Sequence, residues 1–149
     1  MKPVRSFFAM TAWLLALAMT APSAALLAHD NATLDAMPSP HGGQVRMAGA
    51  YHIELVLEKG GAKKRRSVLI YLQNHAFQGV SSAGTSATVT IKMGGGSITV
   101  ALKPDGPESL RGSAVYGMQP GLTASVTFTT GDGQLLSAAY TPYAPAAAR

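Results

Sequence analysis

The sequence predicts an all-β protein: an antiparallel β-sandwich or small barrel of seven to eight short strands, following a cleaved signal peptide. Three observations carry this. Past residue 41, apolar and polar residues alternate with a period of two in one segment after another. Breaks rich in Gly, Pro and Asp recur every eight to twelve residues, the spacing of sandwiches and barrels. No helical period of useful length interrupts them.

The amino terminus reads as an export signal. Lys2 and Arg5 supply a positive start, residues 7–19 are almost wholly apolar, and small residues with a proline follow over 20–25. Cleavage is expected after Ala25 or Ala28, which sets the leader at 1–28 and the location as periplasmic or secreted. No later stretch is apolar enough to span a bilayer, so no transmembrane segment is expected after cleavage. Roughly 120 residues remain, enough for one domain with its own core.

Composition excludes several classes. The full chain has 12 Lys and Arg against 7 Asp and Glu, and losing Lys2 and Arg5 leaves a net charge of +3. Much of the basic excess sits in Lys63-Lys64-Arg65-Arg66, read as a solvated hairpin tip. With so few aromatics around it, no nucleic-acid face is expected. There is no cysteine, which rules out thiolate nucleophiles, Cys-ligated zinc and iron–sulfur clusters. Any metal must be held by His, Asp, Glu, Met or backbone groups.

Residues 29–40 show no sustained period and read as a flexible tether, stiffened by Pro38 and Pro40. The β-domain is expected over 41–141. Residues 44–48 pair with 51–57 across Gly49-Ala50, and Tyr51, Ile53, Leu55 and Leu57 point one way. Residues 68–74 form a second, more continuously apolar strand after the Gly60-Gly61 break. Residues 87–93 and 98–102 make a hairpin around Gly94-Gly95-Gly96. A weaker strand follows over 110–116, then strands over 122–128 and 134–140 around Gly131-Asp132-Gly133. Residues 142–149 read as a disordered tail.

The residues that carry chemistry lie early in the domain. His52 and Glu54 are two apart on one strand, so their side chains leave the same face roughly 6.6 Å apart. That face is the polar one, and both groups are expected outside the core. His41 precedes Gly42-Gly43, and glycine lets a chain fold back closely. Two imidazoles and a carboxylate suit zinc, copper, nickel or cobalt. His75, at the end of the next strand, is a fourth candidate. The candidate metal ligands are therefore His41, His52, Glu54 and His75, with copper or zinc as the ion. Met47 and Met93 lie in strands and read as core or gap-filling residues. No serine or threonine stands in a nucleophile motif and no glycine loop has the lysine of a phosphate cradle, so no enzyme is expected.

The run Pro40-His41-Gly42-Gly43, then Gly49-Ala50-Tyr51-His52-Ile53-Glu54-Leu55, then Glu58, Arg65-Arg66 and Ile70-Tyr71-Leu72, resembles a known family domain. It is similar to the small N-terminal β-domain of some periplasmic adaptor subunits in heavy-metal efflux systems of the resistance-nodulation-division type, and to short exported relatives. The resemblance spans about residues 40–92. It implies an accessory role in handling copper, zinc, cobalt or nickel, with a heavy-metal efflux complex as partner. His41 and Glu54 match its shared pattern, whereas His52 falls at a variable position. No helical hairpin or lipoyl-like segment follows, so an accessory protein is expected rather than a pump adaptor. The alternative is a non-enzymatic structural or interaction module in which Gly42-Gly43 only shapes the backbone.

Overall fold

A computed structural model describes residues 30–60 and 64–143 of the chain. The expected leader over 1–28 lies outside the described residues, as do residues 144–149 of the expected tail 142–149. The first two residues of that tail are described, and Tyr143 packs half-buried against the core rather than fraying. The order of elements is α1 (Asn31–Ala36), β1 (Gln44–Ala48), β2 (Tyr51–Leu57), β3 (Arg65–Gln73), β4 (Ser86–Met93), β5 (Gly96–Pro104), β6 (Ser109–Val115), β7 (Thr123–Thr129) and β8 (Leu135–Tyr140).

The eight strands form one antiparallel sheet in the order β1-β2-β3-β6-β5-β4-β7-β8. β1–β2 and β4–β5 are hairpins, registered by Met47 opposite His52 and by Thr90 opposite Thr99. β6 turns back to pair with β3, and β7 pairs with β4 on the other side, which gives Greek-key connections. The sheet curls until its two edges meet. At the seam Gln44 Oε1 accepts from the Thr141 N–H at 2.8 Å, and the Tyr140 hydroxyl donates to the Ile53 carbonyl at 3.0 Å. The expected all-β sandwich or small barrel is thus a nearly closed eight-stranded barrel.

Period-two alternation places the core. Ile53, Leu55, Val68, Ile70, Val89, Ile91, Leu110 and Val126 point inward and are almost wholly buried. On β4 and β7 the outward residues are exposed or half-buried serines, threonines and a lysine, as a solvated sheet face requires. β2 and β3 differ. Their outward residues are largely buried too, because other segments lie over that face.

Two expectations are corrected. The tether contains helix α1, capped where Asp30 Oδ1 accepts from the Thr33 N–H at 2.7 Å. The helix docks through buried Leu34 and an Asp35–Arg46 ion pair at 2.7 Å. Six residues are too few to print a helical period in the sequence. The basic run is not wholly a solvated tip either. Arg65 and Arg66 lie within β3, and Arg66 is buried with Nη1 donating to the Lys59 carbonyl at 2.6 Å.

Candidate functional site

The outer face of β1–β2–β3 carries all four candidate ligands, divided into two pairs. Antiparallel register sets the rows. Val45, Glu54 and Tyr71 are direct partners in one row, and Met47, His52 and Gln73 in the next.

The first pair is His41 and Glu54. The chain enters β1 through Pro40-His41-Gly42-Gly43, which folds over Glu54. Glu54 Oε1 accepts from the backbone N–H groups of His41 and Gly43, each at 2.9 Å. Oε2 lies 2.8 Å from His41 Nδ1. The imidazole stacks flat on Tyr71, with ring centroids 3.5 Å apart and planes 2° from parallel. Gly42 holds φ +76°, a region costly for residues with a Cβ. At Gly43 a Cβ would fall 2.4 Å from the Leu55 carbonyl oxygen, so only glycine lets the turn lie this close. Every residue of the His-Gly-Gly motif is accounted for by a buried carboxylate and the turn closed over it.

The second pair is His52 and His75. After β3, residues 74–78 form a tight turn. The Phe77 N–H donates to the Asn74 carbonyl at 2.9 Å, and the Asn74 N–H to the Gln78 carbonyl at 2.8 Å. Asn74 Oδ1 also accepts from the N–H groups of Ala76 and Gln78. The turn swings two rings over His52. His75 meets it edge-on, with centroids 5.2 Å apart, and Phe77 tilts against it at 4.4 Å. Gln73 Oε1 and His75 Nε2 are shielded from water and have no hydrogen-bond partner.

The expectation that His52 and Glu54 lie outside the core is corrected: both are 0% exposed. They do leave the outward face, but the entry turn covers one and the 74–78 turn covers the other. The four candidates do not converge on one point. Among the described residues no three His, Asp or Glu side chains gather as a metal-holding group. The structure brings together His41 with Glu54, and separately His52 with His75.

Residue patterns did not single out Met47, Gln73 or Phe77 for a role on this face. The unbroken apolar run of β3 was the available signal, since it implies that both of its faces are covered. Compared with known proteins, the chain matches no family model, no curated protein and no solved structure.

Proposed function

We propose that this is an exported, non-enzymatic accessory protein that binds a transition metal through His52 and His75 and serves heavy-metal handling or efflux. One observation carries the reading: two imidazoles meet on a covered sheet face, and the Nε2 of His75 is buried with no hydrogen-bond partner. Neutral imidazole is the commonest protein ligand for such metals. The leader and the likeness of residues 40–92 to an efflux-adaptor domain support the setting. In this reading His41 and Glu54 are supports that fix the strand bearing His52.

A second reading has its own observation. His41 and Glu54, the residues matching the shared motif, are engaged with each other. That favours an interaction module in which the motif is architecture. Calorimetric titration of the purified protein with copper(II), zinc(II), nickel(II) and cobalt(II) separates the two. Saturable one-to-one binding, lost in His75→Ala and kept in His41→Ala, is the expected result. A folded protein that gives no saturable heat with any metal, including copper(I) under reductant, overturns the metal reading in favour of the module.

A further inference from the structure

We infer that the open edge of β5, Ser97–Ala101, takes up an extended acidic segment of a partner protein as an added strand. This does not rest on the metal reading and concerns a different part of the barrel.

β5 pairs with β4 over Gly96–Leu102 but meets β6 only at Lys103 and Pro104. At Gly112 a Cβ would fall 2.6 Å from Leu102 Cδ2 and 2.7 Å from Val100 Cγ1. β6 thus packs over inward side chains of β5 instead of running on beside its edge. Alternation fixes which backbone groups this leaves. The Asp105 N–H donates to the Ser109 carbonyl at 2.8 Å, so Lys103 and Arg111 are the next hydrogen-bonded pair. Lys103 therefore turns its N–H and C=O toward β6, and Ala101, Thr99 and Ser97 turn theirs the same way. No strand meets those three residues on that side, and all three are exposed.

The edge of β6 across the gap is already served. The Glu58 N–H donates to the Ser67 carbonyl at 3.2 Å, so Ser113, opposite Ser67, faces away from β3. Its carbonyl accepts from Arg65 Nη1 at 3.0 Å. β5 has no such cap. Its edge is also preformed, because Ile98, Thr99 and Val100 are β-branched and the ladder to β4 holds them extended. A row of unpaired backbone groups on a held strand is a template for another chain.

Charge selects the occupant. Lys92 is the strand partner of Ser97, Lys103 lies two residues past Ala101 on the same outward face, and Arg65 reaches to Ser113. All three are exposed, and none has a carboxylate partner among the described residues. Arg111, beside Lys103, is matched by Asp105. Such a border repels a second copy of itself and attracts carboxylates at alternate positions of an added strand. The open edge is about 14 Å long, the length of a short strand. Val115 is 43% exposed and would stand opposite Thr99 if β5 and β6 stayed paired, so it offers the occupant an apolar contact.

The test is titration of the purified, isotope-labelled protein with a blocked peptide of alternating Glu and Val, about seven residues long to cover the edge, followed by amide NMR. A Lys–Val counterpart and a Glu–Val peptide N-methylated at alternate residues are titrated in parallel. The Glu–Val peptide is expected to bind with a Kd of about 1 mM or tighter, more weakly in added salt. The Ser97, Thr99 and Ala101 N–H signals are expected to shift and exchange more slowly. Thr99→Pro removes one edge donor at a position where proline is tolerated, and is expected to weaken binding by about tenfold or more. Lys92→Glu combined with Lys103→Glu is expected to weaken it by a similar factor. The N-methylated peptide makes the backbone test on the unaltered protein, whatever the fate of Thr99→Pro. Equal binding of the Lys–Val peptide overturns the acidic occupant. Undiminished binding of the N-methylated peptide, or shifts confined to other strands, overturns strand addition at β5. Dimerisation of the protein alone, lost in Thr99→Pro, gives the edge to a second copy and overturns the partner. No binding of the Glu–Val peptide overturns the whole inference.

Discussion

His41 meets Glu54 twice, once through its backbone N–H at 2.9 Å and once through Nδ1 at 2.8 Å. A surface ring and a buried carboxylate thereby fasten the entry of the chain onto the middle of β2.

That arrangement orders the effects of substitution. Glu54→Ala leaves the His41 and Gly43 N–H groups without their acceptor and is expected to cost about 3 kcal/mol. His41→Ala keeps its backbone donation and loses only the ring, for about 1 kcal/mol. Gly43→Ala drives a Cβ toward the Leu55 carbonyl and is expected to cost about 2 kcal/mol or more. Urea unfolding of the three variants checks the order. A loss at His41 equal to that at Glu54 would refute it.

The anchor of α1 is expected to weaken in acid. The Arg46 hydrogen bond holds the Asp35 carboxyl below the usual aspartate value, against a smaller opposing effect of burial. A folded value below the unfolded one means that the contribution is complete above about pH 4 and is lost as pH falls through the lower folded value. Asp35 is 36% exposed, so solvent screening limits the pair to under about 1 kcal/mol. Asp35→Asn and the parent are expected to differ at pH 7 and to converge as pH falls through the lowered Asp35 value. A gap that persists unchanged in acid would show that the ion pair contributes nothing.

Alkali acts through the tyrosines. Burial pushes Tyr116 up to about 12 and Tyr140 higher still. Folding favours the neutral phenol, so its contribution is full below about pH 10 and falls as pH rises toward the folded value. Phenolate absorbance is expected to show Tyr116 and Tyr140 ionising only as the barrel opens. Tyr116 also donates its hydroxyl toward the carbonyls of Ser67 at 2.8 Å and Glu58 at 3.1 Å, tying the β2–β3 hairpin. Tyr116→Phe is therefore expected to cost about 1 kcal/mol at neutral pH and to flatten the alkaline loss. An unchanged alkaline slope would remove Tyr116 from that account.

Much of the barrel was legible because alternation is a local signal. The 87–93 strand emerged as Ser86–Met93, and the pairing of 44–48 with 51–57 emerged as read. Burial of the site was not legible. His52 and Glu54 alternate outward as solvated residues do, and only the turns at 40–43 and 74–78 hide them. Those contacts join residues far apart in sequence, such as His41 with Tyr71, and no window on the chain contains both. Phe77 was obscured for another reason: its αL backbone lies where turn chemistry points to glycine.

The seam that joins β1 to β8 sets entry and exit side by side, with Gln44 touching Thr141 across it. A barrel of this layout can be spliced into a loop of a host protein with both linkers leaving from one corner, and neither chain need stretch to accommodate it.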